Sequence, residues 1–365
     1  MDFPDFLYAH FPVSGVDTWV FLPPLVAFIV STITSMGGVS GAFLLLPFQV
    51  SFLQFTSPSV SSTNFVFNIV AIPSGVYRYL KEGRMAWPLT WVVIVGTLPG
   101  VFIGYYLRIL YLPDPKSFKL FVGCVLLYIG IRLLYEMTAR SQRGKKEMKA
   151  LEEKFNAHIK KLKEAHQNRL ASHAQVSLAS EAGTVSISGR PLAGSPLSGK
   201  SSGKGVLSAG LPPEAKVKTI SWTLSRVKYE FWGQRFSFST MGMFLLAFVV
   251  GIIGGTYGIG GGAIIAPFCV AVFHLPVYTV AGAALLGTFI TSVAGVFFYS
   301  VIPVKSGMAV SPDWLLGFLF GAGGFAGMYC GARLQKYVPQ KYLKLILGVL
   351  ITFLAGSYIL QYFTK

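Results

Sequence analysis

Charge is what this sequence has least of: only 12% of its 365 residues are Asp, Glu, Lys or Arg, where soluble domains carry about a quarter. No Asp or Glu falls inside any long apolar run. Outside residues 140–235 the acids are Asp2, Asp5, Asp17, Glu82, Asp114, Glu136 and Asp313, each at or beyond the edge of a run. That absence excludes a proton pump built on a buried carboxylate, a cation channel with acidic rings and an intramembrane carboxylate dyad. Cysteine is scarce too. Cys124, Cys269 and Cys330 lie in apolar runs with neither metal spacing nor a paired framework, and read as small core residues. Residues 1–17 carry acids but no Lys or Arg, so the positive region of a cleavable signal peptide is missing and the first apolar run is expected to remain as a span.

Apolar side chains make up 53% of the sequence and mean hydropathy is +0.59, a composition that needs lipid as its solvent. Runs of bilayer length fall near 19–36, 59–80, 86–107, 117–137, 241–256, 279–302, 313–331 and 341–362. Two shorter runs begin at Gly41 and Gly261, each behind a glycine cluster. The net charge of +17 is concentrated: 18 of the 31 Lys and Arg lie between Arg140 and Arg235, in a linker rather than on a folded face, which argues against nucleic acid.

The chain is internally duplicated. One offset superimposes Pro47 on Pro267, Gly38 on Gly258, Gly41 on Gly261, Asn68 on Thr288 and Gly75 on Gly295, and a slightly larger one places Arg108 on Arg333 and Gly123 on Gly348. The pattern predicts an all-α polytopic membrane protein of two inverted repeats, about five transmembrane or re-entrant segments each. Its parts are an N-terminus 1–18, repeat one 19–137, a linker 138–240 and repeat two 241–362. Arg140, Arg143, Lys145 and Lys146 follow the fifth segment, which sets the linker in the cytoplasm and the N-terminus outside. Within the linker we expect a basic amphipathic helix over 145–173, a disordered Ser/Gly-rich stretch over 177–215 and an interfacial aromatic and basic segment over 216–238.

The strongest local signal is the pair SMGGVSGAFLLLPF (35–48) and TYGIGGGAIIAPF (256–268). Short, glycine-interrupted segments at matching places in two halves point to a transporter binding site. Bare amides and the positive end of a helix dipole favour a small anion there, although the same glycines also serve close helix packing. Gly37, Gly38, Ser40 and Gly41 on one side, with Gly258, Gly260, Gly261 and Gly262 on the other, are the candidate backbone donors. Asn64 and Asn68, one turn apart, and Thr288 and Thr291 add side-chain donors. Arg108 and Arg333 read as residues snorkelling to the interface, or else as a gate or funnel. GIGGGA from Gly258 lacks the strand and the later acid of a dinucleotide site, and no Ser-His-Asp set shares a depth, so no enzyme and no cofactor are expected.

At these residues the chain resembles the sulfite exporter TauE/SafE family, also called the toluene sulfonate uptake permease family. The resemblance rests on the glycine-cluster segments ending in Pro47 and Pro267, the run AGAALLGTFITSVAG (281–295) and the Gly-rich span that reaches Arg333. It implies transport of sulfite or an organosulfonate such as sulfoacetate across a bacterial inner membrane, with export as the main expectation. The first half departs from the fuller glycine pattern, with Ser40 and Ala42 where the second has Gly260 and Gly262. Expected partners are a small anionic substrate, anionic lipids beneath the linker and a second copy in a homodimer. A membrane scaffold acting through its basic linker is the competing reading, and deleting residues 177–215 separates the two.

Overall fold

Turn-rich ends, apolar interiors and glycine at the close contacts explain where the helices start, stop and touch. The computed structural model describes residues 8–36, 40–81, 85–136, 217–231, 233–303, 308–334 and 340–364. Gly37, Gly38 and the linker segments expected at 145–173 and 177–215 lie outside the described residues.

Repeat one forms α1 (Leu22–Met36), α2 (Ala42–Ser51), α3 (Ser59–Lys81), α4 (Trp87–Tyr106) and α5 (Pro115–Glu136), with a π-helical stretch, Leu107–Tyr111, closing α4. Repeat two forms α6 (Thr240–Tyr257), α7 (Gly261–Val272), α8 (Val277–Val301), α9 (Trp314–Leu334) and α10 (Gln340–Thr364). Among the described residues six helices are long and apolar enough to cross a membrane. Large apolar side chains stand exposed along them, such as Phe353 at 76% and Leu245 at 61%, and such faces are stable only against lipid. α2, with ten residues, is about 15 Å long, half the hydrocarbon thickness. Neither it nor α7, with 12 residues, is long enough to cross alone.

Glycine contacts fix the relative directions. Gly96, Gly100 and Gly104 of α4 meet Phe244, Phe248 and Ile252 of α6 in rising order, so these two run the same way with backbones touching. Gly323, Gly327 and Gly331 of α9 likewise meet Pro24, Phe28 and Thr32 of α1. α5 and α10 run oppositely, since Gly123 lies against Tyr358 but Gly130 against Thr352. The same holds for α3 and α8, where Gly295 meets Phe65 and Gly282 meets Tyr79. Each of the first two seams joins one helix from each repeat, as small residues allow in membranes.

Two small sheets flank the helices. β1 (Tyr8–Phe11) and β2 (Val16–Trp19) form a hairpin whose turn docks on Asp313. That carboxylate accepts from Ser14 N at 3.2 Å, Ser14 Oγ at 2.8 Å and Leu316 N at 3.2 Å, capping α9 while anchoring the hairpin. Asp313→Ala is expected to cost about 1–2 kcal/mol, read as a lower thermal midpoint in detergent; an unchanged midpoint refutes the anchor. β3 (Lys218–Trp222), β4 (Arg226–Phe231) and β5 (Gln234–Ser239) make an antiparallel sheet in the segment read as an interfacial anchor. Its alternation, with Val227, Tyr229 and Phe231 buried between exposed Arg226 and Lys228, is the period of a half-buried strand. Tyr229 packs inward and its hydroxyl meets Thr279 Oγ1 at 3.0 Å, and burial pushes that phenol above its ordinary titration range. Cys269 is buried in the core as read from sequence, whereas Cys124 lies on the exposed face of α5.

Candidate functional site

The two glycine-led tips meet at the crossing of α3 and α8. α7 starts at Gly260, whose φ of +76° follows Gly258 at +90°, backbone that residues with a Cβ rarely adopt. The N–H groups of Gly258, Ile259 and Gly260 converge on one carbonyl, Gly254 O, at 2.9, 3.1 and 3.4 Å. The last is the weakest hold. α2 starts at Gly41, and neither Gly41 nor Gly260 receives or offers a side-chain cap. Ser40 Oγ accepts from Ala42 N at 3.4 Å.

Asn64 and Asn68, fully buried and one turn apart on α3, join both tips. Asn64 Nδ2 donates to Ala42 O of α2 at 3.2 Å and to Gly258 O at 2.9 Å. Asn68 Nδ2 donates to Ile259 O at 3.1 Å while its Oδ1 accepts from Ser40 Oγ at 3.3 Å. The amide groups predicted to face an anion thus hold the two loops to each other. Thr288 and Thr291 stand opposite on α8: a Cβ at Gly260 would lie 3.2 Å from Thr291 Oγ1, and one at Gly262 would lie 2.5 Å from Thr288 Oγ1. Their hydroxyls back-bond to Ala284 O at 2.8 Å and Gly287 O at 2.7 Å, so the hydrogens expected to serve an anion are spent within α8.

Close packing accounts for much of the glycine content here. A Cβ on Gly258 would come within 2.5 Å of Ser61 Cα, and one on Gly261 within 2.6 Å of Thr97 Cγ2. What packing leaves unexplained is a set of buried polar atoms without partners on the helices that adjoin the tips. Ser31 Oγ, Asn64 Oδ1 and Ser292 Oγ are all orphaned, and Ser31 Oγ is 2.8 Å from where a Gly41 Cβ would be. Such groups cost free energy unless water or a ligand meets them.

Sequence reasoning missed three contributors. Tyr257 donates its hydroxyl to Phe43 O at 2.8 Å, the carbonyl that Pro47, lacking an N–H, leaves open one turn earlier. Gln49 on α2 is fully buried with both amide atoms unpartnered, and Ser31 lines the Gly41 tip. The signal available was a polar atom inside an apolar run. Arg108 corrects an expectation: it does not snorkel to an interface but is 0% exposed, within the π-helical stretch that closes α4. Its counterpart Arg333 lies in α9, with its side chain outside the described residues. Among those residues no cluster of His, Cys, Asp or Glu is placed to hold a metal.

Among the described residues ten helices, six of them long and apolar enough to cross a membrane and two of them short and glycine-led, define a multi-pass integral membrane protein. Two comparisons with known proteins narrow that class. The profile of the family described as sulfite exporter TauE/SafE matches residues 24–195 and 212–358, and the chain belongs to that family. It is 32% identical over 104 residues to the probable membrane transporter protein YdhB of Bacillus subtilis, covering 27% of this chain and 38% of the relative. It is 28% identical over 106 residues to the probable membrane transporter protein YunE of the same organism, covering 29% and 36%. The chain thus spans under two fifths of the curated relatives it matches. No solved structure matches it.

Proposed function

We propose that this protein transports a small sulfur-containing anion, sulfite or an organosulfonate such as sulfoacetate, outward across the membrane, held between the starts of α2 and α7. The observation that carries the reading is the pair Asn64 and Asn68 clasping two glycine-led helix starts, with the unpartnered Ser31 hydroxyl, a group able to donate to an anion, beside the Gly41 tip. Opposed partial positive charges at a dry crossing replace the hydration of one anion, with no buried carboxylate to repel it. Family membership and the printed names of the two relatives agree with transport.

The two halves act as inverted repeats, a reading supported by counterparts that run oppositely: α3 against α8 and α5 against α10. In this arrangement the linker is cytoplasmic and the N-terminus outside. The test is flux into proteoliposomes of sulfite, sulfoacetate, thiosulfate and sulfate, with acetate as the carboxylate control. Sulfite or sulfoacetate should move at least about tenfold faster than acetate, a preference of about 1.4 kcal/mol. Equal rates for all anions, or none, end the proposal.

A further inference from the structure

Arg108 is a charge the proposed tip site does not use. It sits in the π-helical stretch Leu107–Tyr111, fully buried, and π turns concentrate at functional places. Nη1 donates to Leu112 O, and Cζ lies 3.7 Å from the centroid of the Phe118 ring. Nε and Nη2 have no partner at all. These two nitrogens form one edge of the guanidinium, the fork whose parallel N–H bonds match two oxygens of a sulfonate, sulfite or carboxylate. The nearest acid in sequence, Asp114, is occupied in accepting from Ser117 N and Oγ at 3.0 and 3.2 Å. A buried, unpaired fork of this kind is costly unless something negative visits it.

The surroundings lead from this charge to the tip. Tyr299 of α8 lies within electrostatic reach of Arg108 and packs edge-on against Tyr105 at 4.9 Å between ring centroids. Its hydroxyl points to Gly255 O at 3.4 Å. Ser61 beside it donates to Thr256 O and Tyr257 O, each at 3.3 Å, and its Cα abuts Gly258. One line of polar groups thus runs from Arg108 through Tyr299 and Ser61 to the α7 tip.

We infer that the Nε and Nη2 edge of Arg108, walled by Phe118, Tyr105 and Tyr299, is a second oxyanion site, where a sulfur oxyanion rests between the tips and the end of α4. The inference rests on the transport reading for the identity of the anion, but not for the existence of the site. It is tested by thermal unfolding of the purified full-length protein in detergent, titrated with sulfoacetate against chloride at constant ionic strength. An Asn68→Leu background silences the tip site. In that background sulfoacetate should still raise the unfolding temperature. Adding Arg108→Met should weaken the apparent affinity by roughly tenfold or more, the worth of a bidentate charge-assisted pair. Arg108→Lys, which keeps the charge and loses the fork, should fall between. If the Met variant does not fold, the Lys variant decides, because a wild-type affinity there removes the fork. A sulfoacetate response that persists with Met, or that is absent from the Asn68→Leu protein, overturns the site. Flux failing for every sulfur anion while the Arg108-dependent response stands would instead overturn only the transport reading.

Discussion

Replacing Asn68 with Leu is expected to lower sulfoacetate or sulfite flux by at least about tenfold and to destabilise the protein by about 1–3 kcal/mol. The cause is specific. Leu removes the donor to Ile259 O and the acceptor for Ser40 Oγ in one step, stranding a carbonyl on one tip and a hydroxyl on the other in a site with no exposure. The stability loss alone does not stop transport, since the helices around α3 remain packed. Flux and thermal midpoint measured on the same preparation separate the two effects. Wild-type flux from a folded Asn68→Leu protein would show that the clasp is scaffold rather than site. The double variant with Asn64→Leu should cost more than either alone but less than their sum, because both side chains hold the same pair of loops.

Gly262 sets the other large effect, this time on folding. A methyl group there would lie 1.9 Å from Ala284 O and 2.7 Å from Thr288 N, backbone atoms that cannot swing aside. Gly262→Ala therefore has to part α7 from α8, at a cost of about 3 kcal/mol, the upper end of the overpacking range. Gly356→Ala provides the contrast. That glycine of α10 meets nothing within 4 Å, so the added methyl should stabilise the helix by about 0.5–1 kcal/mol. Thermal unfolding of both variants in one detergent reads the difference. A Gly262→Ala protein as stable as the parent would mean that the α7 tip is looser than this geometry.

Much of the helical plan is written in local pattern. Apolar runs, Pro47 and Pro267 after matching glycines, and Asn64 with Asn68 on one face were visible because each depends on residues within a few turns. The bonds those residues make were not visible. Asn68 reaches Ile259 across 191 positions and Tyr257 reaches Phe43 across 214, and no single-sequence pattern encodes which carbonyl a buried amide will find. Arg108 went astray for a related reason. A basic residue near the end of an apolar run usually stretches toward water, whereas Arg108 is buried in a π-helical stretch, Leu107–Tyr111, that no apolar pattern announces. The strands over 218–239 were masked by composition, since aromatic and basic residues mixed at a membrane edge resemble an anchor until their two-residue alternation is weighed.

The zipped seams decide what can move. α4 with α6, and α1 with α9, approach main chain to main chain at several glycines, so each couple travels as a single strut, and each strut borrows one member from either duplicate. A seesaw of the front duplicate over the back one would tear both struts apart. In the transport reading, opening a pathway tilts these composite beams about the amide clasp on α3, where four hydrogen bonds tie the two tips together.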